Sequence, residues 1–132
     1  MTKDVLARKL SLLERYLRDL GPHAGRSAQD ILEDPYEVER LLELTVQVAV
    51  DIVTHRLAER GTVPETYRGS FLEAGRQGLL PEDLAASLAD AAGLRNILVH
   101  LYEEIDYEIV AASVERALGD FARFARVFAA EL

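Results

Sequence analysis

Leucines at positions 6, 10, 13, 17 and 20 recur at steps of four, three, four and three, the repeat of one helix face. Gly21-Pro22 stops that first helix. The stretch 21–33 reads as a loop with a short turn around 28–32. A second helix starts with Asp34 as N-cap, Pro35 at the first helical position and Glu37 in the first turn. It carries Leu41, Leu44, Val48, Ile52 and Val53, runs to about Glu59 and closes at Gly61. From Leu44 to Val53 it is apolar nearly all round apart from Gln47 and Asp51, so the pattern predicts cover from its own core and from a second subunit. Thr62-Val63-Pro64 opens a shorter third helix with Tyr67, Phe71 and Leu72, ended by Gly78. Pro81 starts a fourth, through Leu84, Leu88, Ala91 and Leu94 into residues 95–102. Gly93 lies inside it at a cost of about 1 kcal/mol relative to Ala, either tolerated or serving a close backbone approach. Asp106 caps a fifth helix with Val110, Val114, Ala117, Phe121, Phe124 and Phe128 along one side. With no period-2 run, repeat or linker, residues 1–132 read as one all-α domain, a bundle of four to five helices.

Composition narrows the class. Hydrophobic residues at 49% with 29% charged suit an ordinary folded domain with a sizeable core. The absence of cysteine excludes disulfides and thiolate metal sites and suits a reducing compartment. The charged amphipathic start differs from a signal peptide, and no apolar run approaches the roughly 20 residues of a membrane span. A cytoplasmic protein is expected. The net charge of −8 opposes general binding to a phosphate backbone, so any nucleic-acid reading must rest on a local site or on a partner. Arg8, Lys9, Arg15 and Arg18 make the first helix basic, either as a guide for RNA toward a cleft or as a solvated face.

Chemistry concentrates in residues 95–102, where Arg95, Asn96, His100 and Tyr102 are threaded among Ile97, Leu98, Val99 and Leu101. Polar groups set into an apolar helix must find partners or lower stability. At about 100° per residue, Asn96 and His100 share a face, as do Arg95 and Tyr102. Arg95 and His100 diverge by about 140°, so a site using both is better assembled from two chains. Histidine moves protons near neutral pH, and arginine offers a fixed positive fork to a phosphate. Together they fit phosphodiester cleavage with no metal or other cofactor. His100 would deprotonate a ribose 2′-OH or protonate the leaving oxygen, Arg95 would stabilise the phosphate, and Asn96 would orient His100 or donate to the phosphate. The same spacing also suits a bland arrangement: a surface-capping Arg95, a satisfied core or interface His100 and a core Tyr102.

Asp51 and His55, four apart, present a carboxylate that orients a histidine or lines the same cleft, or else a polar stripe on a buried helix. Asp51 is the better candidate, in a weak supporting role. His23 is expected to be exposed in its loop. The three histidines lack zinc-type spacing, and Glu103, Glu104 and Asp106 serve solvent and the next helix cap. Phe121, Phe124 and Phe128, with Tyr16 and Tyr67, are expected in the core or at a dimer contact.

The pattern Arg95-x4-His100-x-Tyr102, continued through residue 110, resembles the HEPN-domain proteins in the version found in the HepT-like toxin family. Residues 36–59 resemble that family's long second helix, 67–81 its third, and 84–128 its last two. This resemblance implies a homodimeric HEPN-type bundle acting as a metal-independent endoribonuclease, the toxin of a type VII-like HepT/MntA toxin–antitoxin pair. It implies an active site built across the dimer, with Arg95 and His100 catalytic and Asn96 supporting, acting on RNA such as tRNA or mRNA. It further implies a minimal nucleotidyltransferase antitoxin of the MntA type as partner, adding AMP to Tyr102. The added charge beside Arg95 would block an RNA phosphate. A competing expectation, favoured by the acidic charge, is a non-catalytic HEPN module that docks a nucleotidyltransferase; a third makes the protein mainly an AMP acceptor.

Overall fold

Side-chain caps set most of the helix starts in the computed structural model, which describes residues 1–132. Thr2 Oγ1 accepts from the amide of Val5 at 3.2 Å and begins α1, Lys3–Leu20. Ser27 does the same for Asp30 at 3.1 Å, so the expected short turn is a true helix, α2, Ala28–Glu33. Then follow α3 (Tyr36–Glu59), α4 (Tyr67–Arg76), α5 (Glu82–His100) and α6 (Tyr107–Ala129). The bundle therefore has six α-helices where the periodicity predicts four to five, because a six-residue helix spans too few turns to show a repeat.

Two starts differ from the sequence reading. Asp34 does not cap α3: its amide bonds to Ile31 O at 3.1 Å and closes α2, which leaves Pro35 as the flanking residue of α3. The third long segment begins at Tyr67 and not at Thr62, because Thr66 Oγ1 accepts from Gly69 N at 2.9 Å. Other signals hold. Gly61 and Gly78, at φ of 80° and 78°, end α3 and α4 in the left-handed conformation that glycine adopts without a Cβ penalty. Asp106 Oδ1 accepts from Glu108 N at 2.9 Å and caps α6.

Helix α3 is the hub, packed against α1, α4, α5 and α6. Val46, Val48, Ala49, Val50, Ile52 and Val53 are all buried within the single chain. The excess of apolar positions on α3 is thus absorbed inside one chain, and no second subunit is needed to cover it. The phenylalanines of α6 lie in the core as expected, Phe124 meeting Phe71 edge-on at 6.4 Å and Phe128 at 4.8 Å between ring centroids.

Two glycines face opposite circumstances. A Cβ on Gly75 would stand 2.6 Å from Ala85 Cβ, so the bare α-carbon is what lets α4 lie against α5. Around Gly93 a Cβ would meet nothing within 4 Å, which decides that glycine as a tolerated residue and not a packing one. Gly75→Ala is accordingly expected to destabilise by about 1–3 kcal/mol through overpacking, and Gly93→Ala to stabilise by up to about 1 kcal/mol through helix propensity. Denaturant midpoints of the two variants check the opposite signs; a shared sign would refute the packing argument.

Candidate active site

The residues singled out by spacing occupy the last turns of α5 and the turn beyond it. Helix α5 continues through His100, and Leu101 leaves the helical conformation at φ −127° and ψ 40°. Because the helix is unbroken from Arg95 to His100, their directions diverge by about 140° and one chain does not aim both at one atom. Asn96 and His100 share a face, and both are exposed.

Tyr102 is not on the helix. It opens a 3₁₀ turn, Tyr102–Glu104, with 69% of its surface exposed. The expected common face with Arg95, seven residues back, does not exist, because the chain turns away after His100. Tyr102 is neither core nor lid over Arg95; it stands exposed two residues beyond the histidine.

Arg95 is held most firmly. Its guanidinium carbon lies 4.4 Å from the ring centroid of Tyr67, the first residue of α4. Its Nε is buried and has no hydrogen-bond partner. A guanidinium over an aromatic ring keeps its positive charge for an anion while the ring limits its orientations. Below it opens a cleft lined by Glu65, Thr66, Tyr67, Arg68, Gly93 and Asn96. Tyr67, read from the sequence as core or dimer contact, is therefore the platform that orients Arg95. Nothing in the chain signals this pairing, since 28 positions separate the two residues and only the packing of α4 on α5 joins them.

The remaining candidates lie elsewhere. Asp51 faces α1, with its carboxylate 3.7 Å from Lys9 Nζ, and it does not line the Arg95 cleft. His55 is exposed. His23 is not the exposed loop residue expected: its side chain is largely buried, with Arg26 Nη1 2.9 Å from its Nδ1 and Glu37 3.4 Å from its Nε2. Arg8, Arg15 and Arg18 share a shallow groove with Ser11 on α1, but Lys9 turns away to Asp51. Helix α1 packs on α3 and α6, which separates this basic stripe from the α5 motif within one chain. No group of three or more His, Asp and Glu side chains is placed to hold a metal ion.

The segment carrying Tyr102 is anchored at its far end. Tyr107 donates its phenol hydrogen to Glu39 Oε2 at 2.6 Å and ties the start of α6 to α3. Burial, with the hydrogen bond and charge of Glu39 behind it, pushes the Tyr107 phenol up to about 12 from 10.0. A raised phenol favours the folded state while it stays protonated, so its contribution is complete below about pH 10 and disappears as pH climbs toward 12. Tyr107→Phe is expected to lose about 1 kcal/mol at neutral pH and to lack that alkaline decline. Urea titrations at about pH 7, 10 and 11.5 separate the two effects.

Comparison with known proteins adds independent findings. Residues 6–128 match the family described as Ribonuclease HepT-like. The tRNA nuclease HepT of Aphanizomenon flos-aquae is 34% identical over 126 residues, covering 92% of this chain and 86% of that protein. The mRNA nuclease HepT of Shewanella oneidensis is 29% identical over 132 residues, covering 97% and 98%. Among solved structures, the tri-AMPylated Shewanella oneidensis HEPN toxin in complex with MNT antitoxin superposes with a TM-score of 0.86. That toxin is 26% identical, and the match covers 98% of this chain and 99% of the other.

Proposed function

From the premise that this chain belongs to the HepT-like ribonuclease family, we propose that it is an RNA-cleaving toxin whose active centre forms where two copies bring their α5 ends together. The observation that carries this reading is the arrangement on α5: an arginine stacked and oriented on Tyr67, and an exposed histidine about one and a half turns further on. Two copies supply what one lacks. One His100 takes the proton from a ribose 2′-OH, the oxygen attacks the adjacent phosphorus, and the other His100 returns a proton to the departing 5′ oxygen. Arg95 neutralises the crowded phosphate, with Asn96 beside it as a further donor. Atoms balance with no water consumed in this step, and the products carry a 2′,3′-cyclic phosphate and a 5′-OH. Named relatives act on tRNA in one case and mRNA in the other, so the substrate class is RNA.

Control runs through Tyr102. One solved neighbour is an AMP-modified toxin bound to an MNT antitoxin, and here the tyrosine after the histidine is exposed to solvent. A minimal nucleotidyltransferase partner transfers AMP from ATP to its hydroxyl, releasing pyrophosphate. Each added phosphodiester places a negative charge and bulk beside His100, where RNA would have to enter. A cytoplasmic setting, where RNA and ATP meet, suits both reactions; no helix of the chain is long and apolar enough to cross a membrane.

The test uses the purified chain on total RNA in excess EDTA. Cleavage to cyclic-phosphate ends is the expected result, and loss of cutting in EDTA would replace this reading with a metal-dependent one. Incubation with the cognate nucleotidyltransferase and ATP should add adenylyl mass to the wild type and none to Tyr102→Phe. An unmodified wild type would remove Tyr102 from its role. The alternative, a non-catalytic module that docks the transferase, predicts the mass increment without any cleavage.

A further inference from the structure

Beside the motif, on the other side of Arg95, a cavity of about 150 Å³ opens between α5 and α6. Its floor is apolar, formed by Val46, Leu94, Ala117 and Phe121. Its walls are a joined polar set. Arg116 donates from Nε to Ser87 Oγ at 2.8 Å and from Nη2 to Asp90 Oδ2 at 2.9 Å. Ser87 in turn donates to Asp120 Oδ2. Asp120 is about three-quarters buried, and its Oδ1 is not used by this network. Arg95 lines both this cavity and the cleft under Tyr67, so the two spaces share a wall.

A cavity of this size with apolar lining takes up a single aromatic ring system. A partly buried carboxylate oxygen at its edge accepts hydrogen bonds from an amine, as acidic side chains do from the exocyclic amine of cytosine. We infer that this cavity holds one nucleobase of the RNA, next to the phosphate at Arg95, and selects bases that carry an amine over uracil. The inference rests on the ribonuclease reading of the motif. Apolar faces of the ring meet Leu94 and Phe121, and the amine donates to Asp120 Oδ1 while Ser87 holds the other oxygen. Uracil offers a carbonyl at that position and places two acceptors in opposition.

The experiment follows backbone amides of the full ¹⁵N-labelled chain while guanosine, cytidine and uridine 5′-monophosphates are added separately. Guanosine or cytidine monophosphate should shift Ala91, Ser113 and Ala117 at least about tenfold more tightly than uridine monophosphate, the discrimination of one good base contact. Asp120→Asn turns the acceptor into an amide donor and should reverse the order toward uridine. Ala91→Leu fills the cavity and should abolish the shifts. Equal response to all three nucleotides, no response at millimolar nucleotide, or an order unchanged in Asp120→Asn overturns the inference. Parallel sequencing of cut ends from a randomised RNA pool separates the two readings. RNA cut without shifts at the cavity removes the base site alone, whereas shifts without any cutting remove the ribonuclease reading and leave a nucleotide site.

Discussion

His100→Ala is expected to slow RNA cleavage by at least about 10²-fold, up to about 10⁴-fold, while leaving the fold intact. The size follows from the proposed role: a group that moves a proton in the transition state contributes that much, and the alanine offers nothing in its place. Structural safety follows from position. His100 is exposed on the final turn of α5, in contrast to Leu98 just before it, which is buried. Removing the ring therefore opens no cavity, and the thermal midpoint should move little. If the purified variant cuts RNA as fast as the wild type, the assignment of His100 fails and another site is responsible. In cells, growth arrest by the wild type that disappears with His100→Ala separates the same two outcomes without purification. A mixed-dimer measurement goes further. One wild-type copy paired with a His100→Ala copy should retain far less than half the activity if one site uses a histidine from each chain, and half if each chain works alone.

Arg95→Lys carries the second large effect. Charge is kept, but the planar fork and the stacking on Tyr67 are lost. Loss of one oriented donor to a developing phosphate charge costs about 10²–10³-fold in kcat. Stability should fall by no more than about 1 kcal/mol, the scale of a partly exposed cation–π contact. Tyr67→Leu gives the complementary view: the arginine remains but its orientation is released, so kcat should fall while KM changes less. A lysine variant within a few-fold of wild type would mean that charge alone suffices, and the platform at Tyr67 would lose its purpose.

Net charge of −8 argues against RNA from composition alone, yet composition averages over the whole surface. Arg8, Arg15 and Arg18 form a stripe on α1, and Arg95 with Arg68 lines the cleft at α4–α5. A local field at a cleft governs what enters it, and distant carboxylates are screened beyond about 10 Å at ordinary salt. The acidic total therefore bears on salt dependence and partners more than on the chemistry at α5.

The sequence by itself determined the five longer helices and the residues of the motif. Leucine spacing, Asp106 and the glycines at 61 and 78 are local signals, and helix formation answers to local signals. It also showed that one straight helix does not naturally aim Arg95 and His100 at one atom, because helical geometry separates five positions by about 140°. Tertiary structure decided the rest. Asp34 looks like an N-cap until α2, too short to show a repeat, claims it as an end. The apolar run of α3 leaves open what covers it until four neighbouring helices are seen to bury most of it. Tyr102 looks like a residue on the Arg95 face until the backbone leaves the helix at Leu101. Tyr67 and the cavity walled by Ser87, Arg116 and Asp120 have no trace in spacing, since each joins positions from different helices. Such contacts arise from how helices stack, and stacking depends on the shape of every packed face at once, down to the missing Cβ of Gly75 against Ala85.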